Sequence, residues 1–481
     1  MTGLRTTDAA RGDVTDLAAS SARPTDTQDF PTRTQDFPTR TQDFPTRTQD
    51  LVAKDAAHVW HPFTQHSRWL GDDPLVVDRA EGMYFWDTDG NSYLDGVSSL
   101  WVNVHGHAHP KIIEAVTAQL QRLDHTTFLG LTHEPGITLA ERIVEIAPPG
   151  LNRVFYAGDG SSAVEAAIKM AYQAHAQNGG VRPLIVHVAE GYHGDTLGAV
   201  SVGGIELFHQ TYRSIMLETR QVGSPGLRSV DQSSPARAQE VLQELGELMA
   251  AHEGQVCAII IEPMVQGAGG MLTHDAAFVR GVRRICDESG AYMIADEVAT
   301  GVGRTGKMWA VEHADVSPDL LTLGKGITAG VLPLSAVVAS EDLYEAFLGT
   351  PASARTFFHG HSYTANPPAA AAALANLDLM VADDTLANAV RVADQLGRNL
   401  APLAGHPGVK EIRRIGTMTG IEVEPTTERT GFDVCQWARS RGVWVRPLGD
   451  VVILMPPLAI QPPEVDRLTA TVADAVDAVV R

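Results

Sequence analysis

The chain is poor in cysteine, in positive charge and in long apolar runs. Its 481 residues hold three cysteines, Cys257, Cys286 and Cys435. These are too few and too scattered for a disulfide framework or a metal knuckle. Lys and Arg number 37 against 58 Asp and Glu, a net charge of −21. The first fifty residues have neither Lys nor Glu and contribute −2 of it, so −19 belongs to the rest. A body of that sign repels phosphate backbones and anionic lipid, which argues against nucleic-acid and membrane-surface partners. No apolar run approaches the roughly 18 residues of a membrane span. The opening MTGLRTTDAARGDVTDLAAS lacks the apolar core of a secretion signal. A cytoplasmic enzyme with reduced thiols is the expectation.

What is present falls into two textures. TQDFPTR occurs three times in tandem, at 27–33, 34–40 and 41–47, and TQD begins again at 48. Each unit carries a proline and a single Phe, which break a helix and cannot form a coiled-coil seam. Residues 1–51 therefore read as a solvated tail. From His58 the chain reads as α/β. HPKIIEAVTAQLQRL (109–123) puts proline at a helix start and apolar residues at helical spacing. RVFYA, PLIVHV, VCAIII, YMIA and LLTLG are short apolar runs separated by helical stretches, the pattern of a parallel sheet covered on both faces. We expect a large domain over 105–370. A smaller α+β domain is expected over 371–481, joined by 52–104.

Two motifs compete for attention. GVGRTG (301–306) matches a dinucleotide fingerprint and, with Lys307, most of a phosphate-binding loop. Met308 stands where that loop needs a hydroxyl for Mg²⁺, and DEVAT separates the glycines from the strand, so a nucleotide-binding protein is the remote alternative. HGHAHP (105–110) alternates three histidines, but Gly and Pro interrupt it and no further ligand lies at metal spacing, so loop histidines are expected and no metal.

Ligands of parallel sheets bind beyond the carboxyl ends of the strands. There the sequence places Glu262, Asp296, Lys325 and the turn GDGSS. Gly160 and Ser161 lie at a helix start, where free N–H groups and the helix dipole suit a phosphate. Lys325 in LGKGI follows an apolar run, and a lysine entering the interior loses its proton and becomes a nucleophile. Tyr192 adds a stacking ring. Together these are the parts of a pyridoxal-phosphate site, in which Lys325 takes the aldehyde, Asp296 holds the ring nitrogen protonated, and Lys325 serves as base.

MIADEVATGVGRTG, followed 29 residues after Asp296 by Lys325 in PDLLTLGKGITAG, resembles the signature of the class III aminotransferases. The likeness runs from about His58 to Arg481 and leaves the repeat tail without a counterpart. It implies fold type I, the aspartate-aminotransferase-like α/β fold, with a mostly parallel seven-stranded sheet and a smaller α+β domain. HVWHPFTQ, SSLWVNVHGH, THEPG, GYHGDT, EPMVQGAGGM, TFFHGHSYTANP and VRPLGD resemble the branch that aminates 8-amino-7-oxononanoate on the way to biotin. The runner-up is another class III ω-aminotransferase, acting on ornithine, 4-aminobutyrate or a diamine. By the same likeness His361 and Ser362 reach the phosphate from a second subunit, which implies a homodimer. Arg446 pairs with the substrate carboxylate, and Tyr192, Asp195 and Gly360 line the pocket. The donor stays open between S-adenosylmethionine and lysine. Leu100 and Trp101 stand where adenosylmethionine users show two Trp, and Phe63 where they show Tyr; an aromatic face is worth roughly 0.5–2 kcal/mol to a sulfonium. Asp159 stands where the family has Ser, close to the phosphate turn.

Overall fold

Prolines, glycines and capping side chains cut the chain into elements at the places where its apolar runs stop. The computed structural model describes residues 46–226 and 235–480. The repeats up to residue 45 lie outside the described residues. At its far end the expected tail is corrected: Arg47–His58 is a helix, closed by a capping box between Thr46 and Gln49. The last proline of the repeats is Pro45, and none follows until Pro62. The helix-breaking argument therefore stops where this helix starts.

Seven strands form the main sheet, in the spatial order Leu151–Ala157, Ser335–Ser340, Leu320–Leu323, Tyr292–Asp296, Val256–Ile261, Leu184–Val188, Arg220–Val222. Ser335–Ser340 runs antiparallel to both neighbours, and every other pairing is parallel. The sheet is thus mostly parallel, as expected of fold type I. Its central strands are buried along their whole length, which is why VCAIII shows no alternation. Helices Gly160–Gln177 and Ala276–Ser289 bury apolar faces against it. The glycine turn, Glu262, Asp296 and Lys325 all follow strands that point the same way, so one sheet edge gathers them.

A two-stranded hairpin, Val265–Gln266 with Leu272–Thr273, and two four-stranded sheets complete the sheet structure of the described residues. Val409–Ile415, Met418–Val423, Val451–Leu454 and Arg446–Leu448 form one, entirely antiparallel. In the other, Ser92–Asp95 pairs in parallel with Val443–Trp444, so an early segment and a late one share a sheet. Leu94, Val443 and Leu468 share one apolar cluster. The expected change of texture at 371 comes one helix later. Pro367–Ala382 puts Ala370, Ala373 and Leu377 into the core of the large sheet beside Val186 and Ile259. Small alanine faces let it lie close to helices Pro110–Arg122 and Glu134–Ile146. Thr385–Leu400 is the first helix whose Val392 and Leu396 join the other core.

Candidate active site

A pocket of ≈ 270 Å³ opens at the carboxyl edge of the sheet. Trp101, Gly160, Ser161, Tyr192, Glu262, Asp296 and Lys325 line it. Five residues that the sequence placed in one site (Gly160, Ser161, Tyr192, Asp296 and Lys325) are therefore together.

Asp296 ends its strand and is held from three sides. Oδ1 accepts from Val298 N–H at 3.1 Å and Thr322 Oγ1 at 3.0 Å, and Oδ2 lies 2.7 Å from His193 Nδ1. His193 is buried, and its Nε2 has no partner among the described residues. Lys325 follows the neighbouring strand with a left-handed φ of 44°. Its amine lies 5.5 Å from the Trp101 ring centroid. Enclosure by protein lowers the pKa of this amine, and the nearby carboxyls of Asp296 and Glu262 oppose the shift. A neutral amine is the form that attacks an aldehyde.

Helix Gly160–Gln177 begins at the pocket. Asp159 is its cap: the carboxylate accepts from Ser162 N–H at 2.9 Å and from Ser162 Oγ at 3.2 Å. That use turns the carboxylate onto the third helical residue and leaves the N–H groups of Gly160 and Ser161 without a partner among the described residues. A side chain at Gly160 would meet Val298 Cγ1 at 2.7 Å. Gly194 has φ +119°, and a Cβ there would lie 1.8 Å from Ser161 Oγ. The cradle is thus made of backbone that no larger residue could supply. First-turn N–H groups and a serine hydroxyl suit a phosphate; the flanking Lys325 and Asp296 suit an aldehyde and a pyridine nitrogen. The residues fit pyridoxal phosphate.

The wall residues are tied to one another. Tyr192 donates its hydroxyl to Asp195 at 2.8 Å, and Asp195 N–H donates to Ser161 Oγ at 3.0 Å. Glu262, which the sequence put at the edge without a role, accepts from Tyr192 N–H and Gly267 N–H, both at 2.9 Å. Burial pushes its pKa up to about 7. Trp101 sits on a strained loop: Ser98, Ser99 and Trp101 all have φ between 53° and 67°, each costing of order 1–3 kcal/mol. Asp95 holds the loop by accepting from Val97 N–H and Ser99 N–H.

Other expected residues lie elsewhere. Arg446 and Phe63 line a separate groove of ≈ 1340 Å³. Arg446 has no ion-pair partner among the described residues, and Phe63 packs edge-on against Phe208. Leu100 points away as an exposed side chain, while Trp101 beside it is buried in the pocket. Gly360, His361 and Ser362 lie on a surface loop outside the pocket of their own chain. The nucleotide alternative is corrected: residues 301–306 form turns after the Asp296 strand and are followed only by the short 3-10 helix Ala310–His313, Lys307 Nζ donates to the Glu312 carbonyl, and Arg304 is buried. His105 and His107 bond Asn376 and Asp95. Neither His193 nor Arg304 is prominent in sequence. Only adjacency to Tyr192 and the arginine's place behind the Asp296 strand could have marked them.

Comparisons with known proteins agree with this geometry. The family model described as "Aminotransferase class-III" matches residues 67–476. A curated adenosylmethionine-8-amino-7-oxononanoate aminotransferase of Nitratidesulfovibrio vulgaris is 48% identical over 439 residues, 88% of this chain and 81% of that one. The crystal structure of the enzyme of that name from Methanocaldococcus jannaschii superposes with a TM-score of 0.85 at 37% identity, covering 89% of this chain and 99% of the other. A thermostable (S)-enantioselective ω-transaminase from Thermomicrobium roseum has the same TM-score at 32% identity, over 90% and 99% of the two chains.

Proposed function

Because this chain belongs to the class III aminotransferases, which depend on pyridoxal phosphate, we propose that it transfers an amino group to 8-amino-7-oxononanoate, giving 7,8-diaminononanoate for biotin synthesis. The observation that carries the reading is the shared name and near full-length similarity of the relatives, joined to an unpaired Arg446 in a groove open to a carboxylate. The nitrogen comes from S-adenosylmethionine or lysine. The protein works as a homodimer in the cytoplasm; no described helix is long and apolar enough to cross a membrane.

The residues divide the work. Gly160 and Ser161 hold the phosphate, and Tyr192 covers the ring. Asp296, fixed by His193 and Thr322, keeps the ring nitrogen protonated. Pyridoxal phosphate, when bound, supplies the sink for electrons released at the amine-bearing carbon. Lys325 would hold the cofactor through its aldehyde carbon. As a free amine its Nζ removes the proton from the amine-bearing carbon of the donor and delivers one to the acceptor. Trp101 keeps water from that amine. Arg446 binds the oxononanoate carboxylate with its planar fork. His361, Ser362 and Gly360 complete the site from the second subunit.

Offering 8-amino-7-oxononanoate with S-adenosylmethionine and with lysine in turn tests the reading. Formation of 7,8-diaminononanoate with either donor is expected; formation with neither would overturn it. Arg446→Ala should lower kcat/KM for oxononanoate roughly 10- to 100-fold, the worth of a hydrogen bond to a charged group. An ω-aminotransferase acting on simple amines, which the Thermomicrobium likeness favours, would be indifferent to that change.

A further inference from the structure

GVGRTG is explained neither by nucleotide binding nor by the cofactor cradle, yet it contains one of the largest fully buried side chains of the protein, Arg304. Among the described residues no carboxylate forms an ion pair with it, and the buried Asp95 acts on it only through space. Its Nη1 donates to the carbonyl of Pro456 at 2.8 Å and its Nη2 to the carbonyl of Asn103 at 2.7 Å, while Nε has no partner among the described residues. A buried cation whose hydrogen bonds all go to backbone carbonyls, with only the field of Asp95 to offset its burial, is poorly compensated. Such a choice makes sense where the geometry of the fork matters more than the charge.

The segments it joins are telling. Asn103 closes the strained loop whose Ser98, Ser99 and Trp101 adopt left-handed φ values. Pro456 follows the Val451–Leu454 strand of the antiparallel small sheet. Arg304 itself stands on the turn behind Asp296, and its own carbonyl accepts from Thr417 N–H at 2.9 Å, in the hairpin of that same small sheet. A second tie repeats the connection, since Ser98 Oγ donates to the Met455 carbonyl at 2.7 Å. The strained loop would relax if it were not fastened at both ends, and Trp101, 5.5 Å from the Lys325 amine, would move with it.

We propose that Arg304 is a positioning residue for amino transfer: by clamping the carbonyls of Asn103 and Pro456 it locks the Trp101 loop to the small sheet and so fixes the wall that faces Lys325. The inference goes beyond the choice of acceptor and rests only on the pocket being that of an aminotransferase. It also accounts for the choice of arginine, whose rigid planar fork places two N–H groups on two separate carbonyls in a fixed geometry. Proximity of the Arg304 cation also opposes protonation of Lys325, in keeping with the lowered pKa of that amine.

A double-mutant cycle in the holoenzyme tests it. Arg304→Lys keeps the charge but replaces the rigid fork with a single ammonium centre on a flexible stem. It should raise KM for the amine substrate at least about fivefold while changing kcat less than about threefold, the pattern of a displaced binding wall. In a Trp101→Phe background the same substitution should have less than about half that effect, because coupled sites are non-additive. The emission of Trp101, taken as the difference from Trp101→Phe, should shift to longer wavelength in Arg304→Lys. An equal effect on KM in both backgrounds, or an unmoved Trp101 emission, would overturn the proposal. Should Arg304→Lys fail to fold, Arg304→Gln, which keeps a donor amide but not the fork, is put through the same cycle and judged by the same two results. The emission measurement needs no substrate, so failure of the oxononanoate assay would be seen separately.

Discussion

A lysine enclosed beside a tryptophan is a destabilising choice that only chemistry justifies. Enclosure lowers the pKa of Lys325, so the unfolded chain holds this proton more tightly than the folded one. Between the folded and the unfolded pKa the unfolded state binds more protons, and stability rises with pH up to the ordinary lysine value of 10.5. Lys325→Met, which keeps the bulk and removes the ionisable group, should therefore raise the Tm of the cofactor-free protein by about 1–3 °C at neutral pH, with the gain shrinking as pH approaches 10. Thermal unfolding at pH 6, 8 and 10 measures this, and a gain that grows with pH would contradict the sign. The same variant should have no transaminase activity. Glu262 has the opposite character. Its carboxyl is pushed up to about 7 from 4.5 by burial, so its contribution to stability is present below pH 4.5 and lost as pH rises through 7. Glu262→Gln should flatten wild-type stability over that window, by on the order of 3 kcal/mol at most. It should also loosen the Gly267 loop, whose N–H a single amide oxygen cannot serve together with that of Tyr192.

At the level of elements, strand ends made the site legible and loops hid the rest of it. Lys325, Asp296 and Gly160 each follow an apolar run, and a parallel sheet brings all such ends to one edge, so periodicity and residue type sufficed. Trp101 was legible only through resemblance, because nothing in SSLWVN announces three left-handed residues. Arg304 and His193 were missed because their roles depend on partners far along the chain, Pro456 and Asp296, that no local pattern specifies. The change of domain at 371 was misread for a related reason: AAAALANLDLMV has apolar residues all round, and alanine periodicity does not say which core a helix joins. The cradle gives two predictions at this scale. Gly194→Ala must place a methyl 1.8 Å from Ser161 Oγ at φ +119°; it should reduce cofactor affinity at least about tenfold, strain of 1–3 kcal/mol being the minimum. Equilibrium titration with pyridoxal phosphate reads this directly. Asp159→Ser keeps a capping oxygen and removes a negative charge from a helix start built for an anion. Losing that charge costs the helix about 0.3–1 kcal/mol, so Tm should fall slightly, while its repulsion of a bound phosphate goes and cofactor affinity should rise severalfold.

The whole molecule carries −19 outside its first fifty residues, so every positive site must be built locally, and Arg446 and one helix start do that. The described residues nonetheless expose Trp60, Phe63, Leu129, Leu207, Phe358 and Tyr363. Tyr363 stacks near His125, 5.0 Å between ring centroids, so the 124–133 and 354–366 loops adjoin, and the second of them carries Gly360, His361 and Ser362. A two-fold dimer that covers these loops would deliver them to the partner's pocket, each site taking Lys325 from one subunit and Ser362 from the other. Complementation makes this quantitative. Lys325→Ala leaves every homodimer without an amine, and a His361→Ala/Ser362→Ala double variant leaves every homodimer without the crossing loop. In a heterodimer of the two, one site has both defects and the other has neither. Co-refolding equal amounts should therefore regain about a quarter of wild-type activity, since half of the dimers are mixed and half of their sites are intact. If the loop served its own subunit instead, each mixed dimer would hold one defect per site and no activity would return.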